Sequence, residues 1–429
     1  MTTRDPSLYV ISLDIKAAFQ TISRASVTHG LQDHSVAHQA FKAWYPHSTP
    51  TRHRLQLADE SYRDVSANQG VDQGDPLASY GYTKGSEEDQ NKLETELRRL
   101  HPKNRLLSYL DDSYIVCRQQ DISHVLAFVP VAYLESNQHL QESKLKIWSP
   151  QPASDLPASL QPLLVRSFKC LGTHLRLAGD SDHSDLQLTD PEHPFRTPIT
   201  RIRTLTRNIT ALQAYGLKQQ TAITLLQAYA SSAAQHIARN YFLTDRQGQD
   251  WDEVVMEAWS AILNKHHTTT HLTALPRKLG GAGATDMQSR HHAAVWSAWT
   301  GALPHILLVA GMRDAQEFTD QCPDLTRALQ TTQEGLAQAS HQPTLSHRPL
   351  HSALTKHIKQ KQHMQQIHKT LHSEHLANLP IPAQAMHYSR SAPGAAAFLT
   401  APPKPGGHNA GQGVQYCRRS KAQPSVGSP

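Results

Sequence analysis

Apolar residues recur along this chain in two different rhythms. Over residues 8–177, short runs rich in β-branched and aromatic residues alternate with amphipathic stretches. LYVISLDI (Leu8–Ile15) and HRLQLAD (His53–Asp59) read as strands, and Ser35–Tyr45 reads as a helix. The charged segment 87–100 places Leu93, Leu97 and Leu100 at i, i+4 and i+7, on one helical face. RLLSYLDDSYIVC (Arg105–Cys117) predicts two apolar strands meeting at an Asp-Asp turn. A helical stretch over Ser123–Asn137, kinked or broken at Pro130, comes next. A strand over Lys144–Trp148, a Pro-rich connector over Pro150–Pro162 and a strand pair around Phe168–Leu177 complete the block. Strands and helices interleave without the regular period of a doubly wound sheet, which predicts an α+β layer.

The second rhythm is helical throughout. A polar stretch, Ala178–Pro194, precedes Ile202, Leu205, Ile209 and Leu212 at i, i+3, i+7 and i+10, and Ala222–Ala238 continues at helical spacing. Beyond Ser340 the residues turn to His, Gln and Lys, and Pro380–Pro429 has few large apolar side chains, a composition that predicts disorder. The expected organisation is an α+β domain over 1–177, a linker over 178–194, an all-α unit over 195–340 and a basic, low-order tail over 341–429.

Composition refines this picture. The 429 residues give room for two or three domains. The net charge of +6 is unevenly placed: residues 341–429 hold ten Lys and Arg against the single acid Glu374, so residues 1–340 are net acidic. Cys117, Cys170, Cys322 and Cys417 are far apart with no CxxC pair, so neither a disulfide framework nor a thiolate zinc site is indicated. Asp14 and Lys16 interrupt the apolar run of the first twenty residues, and no stretch approaches the ~20 apolar residues of a membrane span. An intracellular chain with no membrane partner is expected.

Three motifs carry chemistry. Asp14 closes the first strand and is followed by a small-residue turn and an aromatic, D-I-K-A-A-F; a carboxylate there can hold a divalent cation outside the sheet or simply cap a helix. Asp111 and Asp112 sit side by side in a turn, where mutual repulsion calls for solvent or a cation. Between them, QGVDQGDPL (Gln69–Leu77) combines Gly70 and Gly74 with Asp75 as a cap and Pro76 for a first helical turn. Such a helix start offers N–H groups to an anion or nucleotide. Carboxylates from separate strands brought to one point are what two-metal phosphoryl or nucleotidyl transfer requires.

Taken in order, Asp14 to Phe19, QGDPL and YLDD resemble the palm of reverse transcriptases, in the version found in non-LTR retrotransposons. LQESKLKIW (Leu140–Trp148) looks like the lysine-bearing fourth motif, KCLGTHL (Lys169–Leu175) like the hairpin after it, and LPRKLGGAG (Leu275–Gly283) like the segment downstream of the thumb. The resemblance implies an antiparallel palm sheet with helices on one face, then an all-α thumb and extension, then a disordered tail. It implies that Asp14, Asp111 and Asp112 are the catalytic and metal-binding carboxylates for two Mg²⁺ or Mn²⁺ ions. Phe19 would close on the sugar 2′ position, Gln73 and Gly74 would lie against the incoming nucleotide and template, and Lys144 would approach the triphosphate. The implied partners are an RNA template, a DNA primer and dNTPs, in the nucleus if the enzyme is active, and no protein partner is indicated.

The pattern also departs from the family. ASYGY (Ala78–Tyr82) stands where a Leu-Phe pair is usual, and Gln141 where Asn is usual. Thirteen residues precede Asp14, so the fingers have no counterpart, and no endonuclease carboxylate set follows residue 310. The expectation is therefore a fragment, with a catalytically inactive, nucleic-acid-binding remnant as the alternative to a polymerase. Arg201, Arg203 and Arg207 suit either a helix tracking duplex phosphates or a solvated face. GGAG (Gly280–Gly283) reads as a loop rather than a dinucleotide site. His368, His372 and His375 share a helical face by coincidence in a chain with 28 histidines.

Overall fold

The computed structural model describes residues 7–46, 48–165, 167–176, 193–264 and 287–378. Most of the expected linker, the segment 275–283 with its GGAG, and the Pro-rich stretch 380–429 lie outside the described residues.

The first block is built on a five-stranded sheet ordered β4-β5-β1-β6-β7. Its strands are β1 (Leu8–Asp14), β4 (Arg105–Tyr109), β5 (Asp112–Arg118), β6 (Lys146–Trp148) and β7 (Leu164–Val165). All pairings are antiparallel except the short edge pair β6–β7, which is parallel. The helices lie on one face. Tyr9, Ile11, Leu13, Ile115, Cys117 and Ile147 project from the sheet into a core closed by α1 (Ala18–Thr21), α2 (Arg24–Gly30), α3 (Ser35–Trp44), α4 (Ala78–Leu100) and α5 (Ile122–Ala132). The opposite face carries a small cluster of Tyr114 and Trp148 with Val10, Val165 and Cys170. The hairpin of β8 (Ser167–Cys170) and β9 (Thr173–Arg176) rests there, with the Leu171 N–H donating to the Tyr114 hydroxyl at 3.3 Å. Leu171 and Gly172 both take positive φ, the turn type that matches strand twist in a two-residue hairpin loop.

Two local expectations shift. HRLQLAD forms one arm of a separate ribbon, β2 (Thr51–Gln56) with β3 (Tyr62–Ala67); β3 is too exposed and polar to show a strand pattern. The helix expected over 87–100 begins at Ala78 and runs unbroken for 23 residues, through ASYGY. Its glycines explain that departure. A Cβ on Gly85 would come within 2.6 Å of Val27, and one on Gly30 within 2.1 Å of the Lys84 carbonyl oxygen. Small residues therefore let α2 and α4 approach closely, which offsets the helix-propensity cost of Gly.

The helical part has two cores. One joins α6 (Arg196–Ala214), α7 (Gln219–Ala233), α8 (Gln235–Asn240) and α9 (Asp245–Leu263) around Trp251 and Trp259. The other joins α11 (Ala315–Gln321), α12 (Pro323–Ala339), α14 (Leu350–Leu354) and α15 (Gln360–Ala377), with α13 (Pro343–Ser346) packed on α12. The long α10 (Met287–Ala310) feeds both, giving Met287 and Ala294 to the first and Trp296 and Leu303 to the second. Residues 290–310 of α10 are long and apolar enough to cross a membrane, with mean hydropathy 1.4, but that apolarity serves two cores and 39% of the window is buried.

The low-order region expected from residue 341 is corrected by α13, α14 and α15. Leu350, Leu354, Met364 and Ile367 are buried in the second helical core, spaced widely enough among His, Gln and Lys that the segment reads as polar. We expect Gly30→Ala and Gly85→Ala each to destabilise the first block by about 1–3 kcal/mol, the usual cost of overpacking, measured by denaturant unfolding.

Candidate active site

Side-chain alternation decides what reaches the helix-free face of the sheet. Tyr9, Ile11 and Leu13 enter the core, so Val10, Ser12 and Asp14 point the other way. On β5, Ile115 and Cys117 enter the core and Asp112, Tyr114 and Val116 oppose them. Asp14 is the register partner of Asp112, which sets two carboxylates side by side on the same face. The turn delivers the third: Tyr109 pairs with Asp112, leaving Leu110 and Asp111 as a two-residue loop. Leu110 adopts φ +55°, uncommon for a non-glycine residue and held here by the flanking strands. Burial, followed by the charges of Asp111 and Asp14, raises the Asp112 carboxyl above its ordinary pKa.

Lys144 belongs to the same cluster. Past Asp14 the chain bridges Ile15 to Leu140, and the Asp14 carbonyl accepts the Gln141 N–H at 2.7 Å. The 3-10 turn Glu142–Lys144 then returns the ammonium to within 3.2 Å of both Asp14 carboxylate oxygens. Both side chains reach solvent, so the pair contributes at most about 1 kcal/mol. Its meaning is geometric, since positive charge already settles against Asp14. Carboxylates on two adjacent strands and a turn, open to solvent on one side, fit Mg²⁺ or Mn²⁺, which take oxygen ligands and keep sites for water and phosphate.

The segment 69–77 is hung beside α1 by backbone bonds. Gly70 N–H donates to Ile22 and Val71 N–H to Phe19, at 2.9 and 2.7 Å. Gly70, at φ +75°, has no room for a side chain, because a Cβ would lie 2.2 Å from the Gln20 carbonyl oxygen. Two residues outside the sequence motifs complete the hold. Arg24, only 3% exposed, donates through Nε to the Gly70 carbonyl at 2.9 Å and lies over the Tyr45 ring. The Tyr45 hydroxyl donates to Asp75 Oδ2 at 2.6 Å and accepts the Asp72 N–H at 3.2 Å. Asp75 Oδ1 accepts the Leu77 N–H at 2.7 Å, at the start of α4. A lone Arg and a lone Tyr in helical stretches give no sequence signal for this role; only their burial does.

The expected site residues thus divide. Asp14 and Asp112 are register partners at one end of the sheet, Lys144 reaches Asp14, and Asp111 lies in the adjoining turn; among the described residues these three carboxylates do not form a group whose ligand atoms all lie within 4.8 Å of one another. Gln73 and Gly74 are exposed on the segment 69–77, Gly74 at φ +99° with open space around it. Phe19 is 7% exposed, its ring stacked on Tyr82 at 4.7 Å, so it is part of the core behind the site. Tyr82 in turn donates to Gln138 at 2.7 Å, and burial raises the pKa of its hydroxyl. On α6, Arg201, Arg203 and Arg207 are exposed, Ile202 and Ile209 are buried, and the helix contains no acid.

Residues 2–175 match the family model described as reverse transcriptase (RNA-dependent DNA polymerase). No curated protein matches. Among solved structures the chain is similar to apo telomerase from Candida tropicalis, at 10% identity and a TM-score of 0.35, over 84% of this chain and 53% of that one. It is similar also to telomerase from Candida albicans in complex with a TWJ fragment of telomeric RNA, at 11% identity and 0.32, over 73% and 52%. The chain spans about half the length of these telomerases, and likeness at this level is too distant to carry function across.

Tyr45→Phe removes the hydroxyl that holds both Asp72 and Asp75. The expected cost is about 1 kcal/mol, seen in hydrogen exchange as faster exchange at Asp72 with unchanged protection along β1. Uniform loosening of the sheet would instead make Tyr45 a packing residue only.

Proposed function

We propose that this chain, whose residues 2–175 match the reverse transcriptase family model, is an RNA-directed DNA polymerase core of non-LTR retrotransposon type. The observation that carries the proposal is the register pairing of Asp14 with Asp112 beside the Asp111 turn. Carboxylates so arranged suit nucleotidyl transfer: a primer 3′-OH attacks the α-phosphorus of a dNTP, a new P–O bond forms, and the bond to pyrophosphate breaks.

Asp14, Asp111 and Asp112 would hold two Mg²⁺ or Mn²⁺ ions, whose chemistry is to activate an attacking oxygen and stabilise a leaving one. Lys144, already beside Asp14, would turn its ammonium to the triphosphate once other positive charge occupies the carboxylates. Gln73 and Gly74 would lie against the incoming nucleotide and the template, on a segment anchored at Gly70 and Asp75. The absence of a Cβ at Gly74 leaves its backbone open to a base or sugar. Phe19 would favour deoxynucleotides, with Tyr82 behind it fixing the ring. The acid-free face of α6, with its three arginines, would follow template–primer phosphates. Work on an RNA template in a nucleus is the setting this reading implies.

Primer extension on a poly-A template tests it. We expect extension with Mg²⁺ or Mn²⁺, none after chelation, and recovery on adding the metal back. Asp111→Ala and Asp112→Ala should bring extension to background with folding intact by circular dichroism. Equal extension by wild type and both variants would sink the enzymatic reading. Salt-sensitive nucleic-acid binding indifferent to both substitutions, with no extension, would point to an inactive binding remnant.

A further inference from the structure

The starts of α9 and α10 are latched together in the helical part, outside the palm sheet. Asp252 on α9 accepts the backbone N–H groups of Met287 and Gln288 on its two carboxylate oxygens, at 2.6 and 3.0 Å, and so caps α10. Gly248 permits the approach: a Cβ there would stand 3.2 Å from the Gln288 Cα. Residues nearer the start of α9 consequently face residues deeper in α10. Asp245 is the first residue of α9, and the reciprocal capping bonds of Thr244 and Gln247 fix its position.

That arrangement brings Asp245 to the consecutive histidines of α10. Its Oδ1 is 3.9 Å from His291 Nε2 and 3.7 Å from His292 Nε2, and the three potential ligand atoms lie within 4.8 Å of one another. His291 is 1% exposed, and its Nδ1 is 2.9 Å from the Met287 carbonyl oxygen. A carbonyl only accepts, so Nδ1 carries the proton, and in the neutral ring Nε2, the nitrogen facing Asp245, bears the lone pair. Metal-ligating histidines are oriented by this same donation from the other ring nitrogen. The His292 ring is held from a third helix: on α12, a Cβ at Gly335 would come within 2.3 Å of its Nε2.

We propose that Asp245, His291 and His292 form a binding site for a divalent transition-metal ion of the Zn²⁺ type, clamping α9 to α10 at their junction with α12. Two imidazole nitrogens and one carboxylate oxygen leave a fourth position open to water, a donor set Zn²⁺ accepts. Bonds of about 2.0–2.1 Å place ligand atoms roughly 3.3 Å apart in a tetrahedron, so the 3.9 and 3.7 Å separations of Asp245 from the two rings close by an inward movement of about half an ångström. Asp245, whose side chain is 75% exposed, is free to make that movement. Asp245 and Asp252 together offset the positive ends of the two helices, which would otherwise oppose a cation there. Imidazole ligands select this ion over Mg²⁺, so the site is chemically separate from the palm carboxylates.

Co²⁺ titration of the full chain, followed by the visible absorption of tetrahedral Co²⁺, tests the proposal. One equivalent should bind, be displaced by Zn²⁺ and resist Mg²⁺. Asp245→Asn changes an exposed side chain and leaves the backbone cap intact; it should weaken binding at least about 10-fold, the lower range for disturbing such sites. His292→Gln should do the same. Zn²⁺ should raise the Tm of wild type and not of Asp245→Asn. Unchanged Co²⁺ absorption in Asp245→Asn, or absorption lost instead on His368→Gln with His372→Gln, would overturn the assignment.

Discussion

The antiparallel register of β1 against β5 is the constraint on which the first block depends. Because side chains alternate with a period of two, that one register sends Tyr9, Ile11, Leu13, Ile115 and Cys117 into the core and Asp14 and Asp112 to the other face. A slip by one residue would bury two carboxylates and expose the apolar row, at a cost of many kcal/mol for unpaired buried charge. Core and site are therefore one specification. Burial, and then the charges of Asp111 and Asp14, oppose ionisation of Asp112, and the arrangement survives because the apolar face of the same strands holds the register.

Around this sheet, the segment 69–77 is suspended from helices rather than from strands. Arg24 and Tyr45, on α2 and at the end of α3, hold Gly70, Asp72 and Asp75. The glycines of α2 and α4 let those helices close on each other. ASYGY, which departs from the family pattern, is thereby accounted for by packing: Gly81 and Gly85 leave room for Phe41, Val27 and Ile22. Phe19 extends the same logic. Its ring lies under the site, stacked on Tyr82, so any influence it has on a sugar is backed by a rigid core.

The helical part is unified by α10, which contributes residues to two cores. This shared use explains how one helix can be apolar enough to resemble a membrane span while packed inside a protein. It also explains the order of residues 343–377, whose few apolar side chains suffice because α10 and α12 already present a surface to complete.

The sequence by itself determined the alternation of strands and helices before residue 177, most of the sheet strands and the Asp-Asp turn, because these rest on local periodicity and short motifs. Tertiary structure alone decided which residues converge. Lys144 reaches Asp14 only because Leu140 bridges to Ile15. Arg24 and Tyr45 become anchors of a distant segment, and Asp245 meets His291 and His292 across 46 residues of sequence. The ribbon partner β3 and the helices after residue 341 were hidden for a related reason. Their sequence pattern is polar, and what fixes them is a cross-strand partner or a core surface supplied by residues far away in the chain.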